Sequence, residues 1–430
     1  MKALYRNDPP GSLPDSWYVA SAPTVPPRPA LRGAVRCDVA IVGAGYTGLT
    51  AALTLAERGY SVRVLEAHRA GFGASGRNGG QVGSGFNKDQ QWLAAKLGDG
   101  QARALWDLAE DGKALLRDLA ARHAPDARYT PGVLHGQWTR AGADEDRRYA
   151  DWLAATYGYE TEYLDRDAFR AICPATVYEG GVLDMGAGHI HPLRYAQGLA
   201  RAAEAAGAIL HETTEVTRID GTQLVTPGGT VQAGHVILAG NGYLPDLDRR
   251  YAARVMPINS FIAATAPLGN RAAEVLRRDI AVADSKFVVN YFRLSEDQRL
   301  LFGGRESYSI GFPGDILTAL RARMLRLFPT LADVEITHHW GGTLGITMTR
   351  LPYVTRLGPT TLAAGGFSGH GVALSGLAGR VMAEAVAGQA ERMDLFGSLP
   401  TPPFPGGSAA RAPLLTLAMT WFSLRDRLGI

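Results

Sequence analysis

One stretch, Asp38 to Gly80, constrains what this chain can fold into more than any other. Asp38-Val39-Ala40-Ile41-Val42 runs straight into Gly43-Ala44-Gly45-Tyr46-Thr47-Gly48. A segment with Leu49, Ala52, Leu53 and Ala56 at helical spacing follows, stopping at Gly59, and then Ser61-Val62-Arg63-Val64-Leu65-Glu66. An apolar run broken at once by glycine suits a strand buried on both faces of a parallel sheet. Gly43 permits a tight turn, Gly45 lets backbone amides approach a pyrophosphate, and Gly48 lets the helix pack closely on the strand. The amides at the helix start, Tyr46 and Thr47, sit at its positive end, where phosphates are held. Glu66 lies 23 positions after Gly43, with Ala67 beside it. The dinucleotide fold places a ribose-binding carboxylate at a spacing of about 20. Strand, glycine turn, helix, strand and acid together predict a dinucleotide site.

The chain has 430 residues, 46% hydrophobic and 20% charged, which is ordinary for a soluble protein with a large core. It is long for one domain, so the expected fold class is α/β, α+β overall: a Rossmann-type cofactor domain interleaved with a second domain built on a mixed sheet. A net charge of +3 without a basic block excludes nucleic acid as a partner. The cysteines, Cys37 and Cys173, have no metal-ligand spacing, so no metal is expected and the setting is read as reducing and cytoplasmic. The N-terminus lacks the apolar core of a signal peptide, and no apolar run reaches the ~18 residues of a membrane span.

After Glu66 comes Gly71-Phe72-Gly73-Ala74-Ser75-Gly76-Arg77-Asn78-Gly79-Gly80-Gln81. Glycines set around Arg77, Asn78 and Gln81 imply backbone pressed against something flat or anionic. A nicotinamide enzyme has no use for this second block; a flavin, with its broad ring and ribityl chain, does. Residues 1–36 are proline-rich and are expected to run extended, held by Trp17 and Tyr18, as a packed arm without chemistry. From Asp89 to about Thr156 the pattern is helical around Leu105, Leu108, Leu115, Leu116 and Leu119, with a strand or hairpin at Tyr129 to Trp138, and reads as scaffold.

His189 and His191 share one face of an extended segment, but no third ligand lies near; His191 is instead a candidate pocket residue at the entrance of a helix that Pro192 starts and Ala203 ends. Val216 to Ile219 and Val236 to Ala239 read as strands, the second ending at Gly240-Asn241-Gly242; Val216, Gly240 and Asn241 are expected at the cofactor. Strands between Met256 and Phe302 carry Tyr291, Phe292 and Arg293 as a substrate roof, of which only one aromatic can face the pocket. Trp340 to Thr347 and Leu362 to His370 precede a helix from Val372 to about Ala387. Gly369, His370, Gly371, Val372 and Ala373 would bring that helix's N-terminus to the flavin pyrimidine, where fixed dipoles stabilise negative charge. On this reading 37–90, 180–245 and 335–395 form the cofactor domain, 91–179 and 246–334 the substrate domain and helical scaffold, and 396–430 a tail helix that docks on the body, on a second subunit of a homo-oligomer or on a membrane surface.

Taken together, Cys37-Asp38-Val39, Gly71 to Gln81, Gly188-His189-Ile190-His191-Pro192, Tyr291-Phe292-Arg293-Leu294 and Phe367-Ser368-Gly369-His370-Gly371-Val372 resemble the amine-oxidising branch of the D-amino-acid oxidase and glycine oxidase family. Pro403-Phe404-Pro405-Gly406-Gly407 and Ser423-Leu424-Arg425-Asp426-Arg427-Leu428-Gly429 resemble its γ-glutamylputrescine-oxidising group. The resemblance implies FAD and a small-molecule amine substrate, with ammonia, an aldehyde and, with oxygen, hydrogen peroxide as products. Neither Trp340 to Thr347 nor Gly71 to Gln81 carries the cysteine or histidine by which relatives tether their flavin, so the FAD is expected to be noncovalent. The lysine that promotes oxygen reactivity in relatives has no evident match, Lys286 being the only lysine in the second sheet's sequence; oxygen and another acceptor both stay open.

An amine must be neutral before its α-carbon gives up a hydride, and an aromatic pocket lowers its pKa by desolvation. Trp340, Phe367 and one of Tyr291 or Phe292 are the candidates. His370 either takes a proton or hydrogen-bonds the ring, and Arg293 or Arg305 would hold a substrate carboxylate. A dehydrogenase of the same fold, passing electrons to a quinone or an electron-transfer protein, is the alternative. An NAD(P)-linked enzyme or a regulatory protein is disfavoured by the lack of a second glycine fingerprint after a strand.

Overall fold

The structure, a computed structural model, describes residues 3–244, 247–286, 288–307 and 311–406, with the side chains of Ala3 and Arg305 excepted. Two sheets organise it. In the first, the strand Gly33–Val42 lies at the centre, parallel to Val62–Leu65 on one side and to Gly229–Leu238 on the other. Ile209–His211 extends the sheet in parallel beyond Val62–Leu65, and Thr361–Gly365 does so beyond Gly229–Leu238. Tyr353–Arg356 closes that edge antiparallel.

The last four residues of the central strand, Val39 to Val42, are buried on both faces, as their unbroken apolar run predicts. Val39 and Ile41 enter one core with the helices Tyr46–Glu57, Asp99–His123, Pro192–Ala205 and Val372–Val386. Ala40 and Val42 enter another with Leu224, Val231, Val236, Leu238 and Tyr251. Glycine lets two of the covering helices nearly touch: a Cβ on Gly379 would lie 2.1 Å from the carbonyl oxygen of Thr47.

The second sheet is mixed, ordered Ile336–Ile346, Met256–Thr265, Leu300–Ser307, Tyr291–Leu294, Ala281–Asp284, Thr130–Gln137, Gly180–His189 and Gln81–Val82, with Glu162–Asp165 paired to Gly180–His189. Its outer face packs Phe261, Phe292 and Phe302 against the helix Leu317–Leu327. Its inner face carries Ile262, Leu301 and Trp340 against Leu193 and the short helix Trp17–Ser21.

Four expectations are corrected here. Strands Gly180–His189 and Ile336–Ile346, assigned to the cofactor domain, belong to the second sheet, because both ladder onto its strands. The helix Asp99–His123, assigned to the substrate side, buries its apolar face in the first sheet's core. The strand expected at Val216 to Ile219 begins at Arg218. The arm is not wholly extended, since Ser16 caps the helix at Trp17 and both aromatics are buried. No helix among the described residues is long and apolar enough to cross a membrane. The tail helix expected within 396–430 falls largely on 407–430, outside the described residues.

Candidate active site

The dinucleotide turn forms as its glycines require. Gly43 has φ +104°, and a Cβ there would lie 2.9 Å from the Ala239 carbonyl oxygen. A Cβ on Gly48 would lie 1.9 Å from the Gly43 carbonyl oxygen, so only glycine lets the helix Tyr46–Glu57 start this close to its strand. Ala239 and Gly240 thus abut the turn.

Glu66 ends its strand with the carboxylate turned back into the turn. It accepts from the Ala44 N–H at 2.8 Å and the His68 N–H at 2.9 Å. Burial raises its pKa, which those backbone donors oppose. Among the described residues no Lys or Arg pairs with it. Two N–H groups fill half of the roughly four acceptor positions of a carboxylate. Nearby, His68 is fully buried, its Nε2 is 3.0 Å from the Leu4 carbonyl oxygen, and its Nδ1 has no partner among the described residues. A free carboxylate acceptor and an orphaned imidazole acceptor side by side fit the hydroxyls of a cofactor ribose.

The second glycine block folds into a compact loop. Ser75 Oγ accepts from the Tyr46 N–H at 3.0 Å, tying it to the first turn. Asn78 donates to the Ala74 and Ser75 carbonyls and accepts from the Gly80 N–H at 2.7 Å. Gly73 lies under the Tyr243 ring, 3.5 Å from where its Cβ would be. Gln81 donates to the Val282 carbonyl at 2.8 Å, joining the loop to the second sheet. Arg77 departs from the expectation of a cofactor-facing guanidinium. Its Nε donates to the Phe72 carbonyl, its Nη1 to the Gly341 carbonyl, and it pairs with Asp8. It shapes the loop from behind.

At the other end, Asn241 and Ser368 both adopt left-handed backbone, at φ +47° and +54°. Such conformations persist in non-glycine residues only where neighbours fix them. Asn241 Oδ1 accepts from the Gly366 N–H at 3.0 Å. The Ser368 N–H donates to the Gly345 carbonyl at 3.0 Å, and its own carbonyl accepts from Asn87. These contacts draw three chain segments together just before Gly369, His370 and Gly371 open into the helix Val372–Val386. Gly371 is its N-cap and Ala373 is buried beneath it.

His370 Nε2 lies 3.1 Å from the Ser84 carbonyl oxygen, to which it donates, and burial holds its pKa below the ordinary histidine range. Gly83 leaves room for the ring: a Cβ there would meet His370 Cε1 at 2.7 Å. Tyr291 faces inward, its ring wedged between Gly79 and Gly303, where added Cβ atoms would lie 2.8 and 2.0 Å away. Of the two aromatics it is the one turned towards the cofactor loop.

Other candidates take different roles. Phe292 points to the outer face, into the core with Phe302 and Phe328. Phe367 packs into the first sheet's core, and Val216 into the core on that sheet's opposite face. Trp340 is buried edge-on to Tyr18, with Nε1 donating to the Arg77 carbonyl at 3.0 Å. Arg293 is buried on backbone oxygens, Nε donating to Gly79 at 3.0 Å and Nη2 to Ile190 at 3.4 Å, which explains why it is not a free carboxylate clamp. His191 caps the helix Pro192–Ala205. Its Nδ1 accepts from the Arg194 N–H, its Nε2 meets Ser21 Oγ at 3.0 Å, and burial pushes its pKa down to about 2. Lys286 stands over the Trp138 ring, 4.8 Å from its centroid.

One cluster escaped the sequence reading. Lys113, 1% exposed, donates to Ser84 Oγ at 2.7 Å and the Tyr159 hydroxyl at 2.9 Å, and pairs with Glu110 at 2.7 Å. Tyr159 in turn donates to Asp184 at 2.6 Å. A signal was present: Lys113 follows Leu105 and Ala109 at four-residue spacing on the buried face of its helix.

The model of the family described as FAD dependent oxidoreductase matches residues 38–385. A probable oxidoreductase OrdL of Rhizobium meliloti is 42% identical over 96% of this chain and 97% of its own length. The gamma-glutamylputrescine oxidoreductase of Escherichia coli is 38% identical over 96% of this chain and 99% of its own. The crystal structure of glycine oxidase from Geobacillus kaustophilus superposes with a TM-score of 0.68 at 26% identity, covering 83% of this chain and 95% of that one.

Proposed function

Since the chain belongs to the family of FAD-dependent oxidoreductases, we propose that it oxidises γ-glutamylputrescine at its terminal primary amine. The products are the aldehyde, ammonia and, with oxygen as acceptor, hydrogen peroxide. What supports the flavin chemistry in this chain is a single short segment: Gly79 lies under the inward-facing Tyr291, and Gly83 and Ser84 a few residues on meet His370, just before the helix Val372–Val386. The full-length similarity to a gamma-glutamylputrescine oxidoreductase supports the substrate.

FAD bound here supplies the hydride acceptor. The chain's own groups do the rest. Glu66 and His68 accept from the ribose, and the amides of the 43–48 turn hold the phosphates at a helix N-terminus. The first turn of Val372–Val386 presents backbone N–H groups where negative charge develops. His370 is neutral at pH 7 and is held by Ser84, so it adds a dipole rather than a cation beside the arriving ammonium. Tyr291, half-buried, offers an aromatic wall that favours the neutral amine. That amine's α-carbon loses a hydride while the nitrogen lone pair forms the C=N bond. Water then adds to the imine carbon and ammonia departs.

The test is an anaerobic visible spectrum of the purified protein before and after γ-glutamylputrescine, followed by air. Bleaching of the flavin band and its return with one equivalent of peroxide are expected. A flavin that bleaches with other amines only would overturn the substrate. One that bleaches here but is restored by a quinone and not by oxygen would make the protein a dehydrogenase.

A further inference from the structure

Residues 4–8 of the arm touch two segments of the cofactor cradle, the chain after Glu66 at His68 and the glycine loop at Arg77. Asp8 Oδ2 lies 3.1 Å from Arg77 Nη2, with side chains 13% and 1% exposed. That guanidinium also holds the Phe72 and Gly341 carbonyls, so its position sets how the glycine loop lies on the strand Ile336–Ile346. The Leu4 carbonyl receives His68 Nε2, and the Tyr5 ring stands 5.1 Å from that imidazole, which is stacked flat on Phe72 at 3.6 Å. The Tyr5 hydroxyl donates to Glu215, one residue beyond Thr214, whose N–H bonds the Glu66 carbonyl. Asn7 Oδ1 accepts from the Phe312 N–H at 2.9 Å, fastening the arm to the second sheet's side as well.

We propose that this arm is a wall of the FAD site, with Asp8 as the positioning residue for the Arg77 loop and Leu4 and Tyr5 closing the ribose end. This rests on the FAD reading above. A packed tail would need only Trp17 and Tyr18, whose rings already anchor it in an apolar cluster. Residues 4–8 instead direct polar groups to Arg77 and His68, which line or shape the cradle, and to Glu215 beside Thr214. A buried guanidinium that loses its carboxylate keeps its charge and shifts to find another partner, and the glycine loop must move with it. The arm therefore governs how long FAD stays bound.

The experiment measures FAD release from the full-length holoprotein after dilution, as recovery of flavin fluorescence, for wild type, Asp8→Asn, Asp8→Glu and Tyr5→Ala. Asp8→Asn should release FAD about tenfold faster, the loss expected for one charge-assisted buried contact. Asp8→Glu should restore slow release, and Tyr5→Ala should accelerate it several-fold, on the order of one lost packing and hydrogen-bond contact. Release at the wild-type rate from both Asp8→Asn and Tyr5→Ala overturns the proposal while leaving FAD as cofactor. A wild-type protein that neither carries nor takes up FAD overturns the cofactor reading and this inference with it.

Discussion

Lys113 Nζ stands 2.7 Å from Ser84 Oγ, and the carbonyl of that same serine receives His370 Nε2. A buried ammonium on a covering helix is thereby two hydrogen bonds from the residue that opens the helix Val372–Val386. Replacing it, as in Lys113→Met, strands Glu110 without its cation and removes a donor from Ser84 and Tyr159. Breaking a buried charge cluster from one side costs about 3–5 kcal/mol. Urea unfolding should show that loss, and Lys113→Arg should recover only part of it, because a planar fork cannot reproduce three diverging donors. An unchanged midpoint in Lys113→Met would show that the cluster contributes nothing to stability.

Gly48→Ala tests the dinucleotide turn. The added methyl would sit 1.9 Å from the Gly43 carbonyl oxygen, and backbone rather than a mobile side chain must give way. Overpacking of this kind costs ~1–3 kcal/mol, enough to weaken FAD binding roughly tenfold. Flavin absorbance per mole of purified protein is the measurement, and full occupancy in the variant would refute the geometry.

Arg293 separates structural from substrate roles. With Nε on the Gly79 carbonyl and Nη2 on that of Ile190, Arg293→Lys should loosen the flavin loop. It should not discriminate between γ-glutamylputrescine and putrescine, which lacks the carboxylate. The ratio of kcat/KM for the two amines is therefore expected to stay within about twofold of wild type, as befits a lost contact that neither substrate makes. A selective rise in KM for the γ-glutamyl compound would restore Arg293 as a carboxylate clamp.

Buried histidines set an acid limit. Burial holds His189 and His191 below the ordinary histidine pKa, so the fold keeps them neutral while the unfolded chain takes up protons near 6.5. The unfolded state then binds more protons at low pH, and stability rises with pH. It is fully present above about 6.5 and is lost as pH falls below it, each group contributing up to about 1.4 kcal/mol per pH unit. Denaturant titrations at pH 7, 6 and 5 should show the decline, and His191→Asn should flatten it by roughly one proton's share. An equal slope in that variant would place the acid sensitivity elsewhere.

The sequence by itself determined the elements whose physics is local. An apolar run ending in glycine can only be a strand entering a tight turn, and Gly43, Gly48 and Glu66 take up the geometry that their spacing dictates. Alternation along Tyr291-Phe292 likewise required that one ring face inward, though not which. Tertiary structure decided what depends on partners far along the chain. It turned Tyr291 inward because Gly303 on the next strand leaves space for its ring, and sent Phe292 and Phe367 into cores. It bound Arg77 and Arg293 to backbone carbonyls, and brought Asp8 and Lys113 to the site from an arm and a helix that read as scaffold. A side chain's role follows from what meets it, and those neighbours lie tens to hundreds of residues away, beyond the reach of periodicity and turn chemistry.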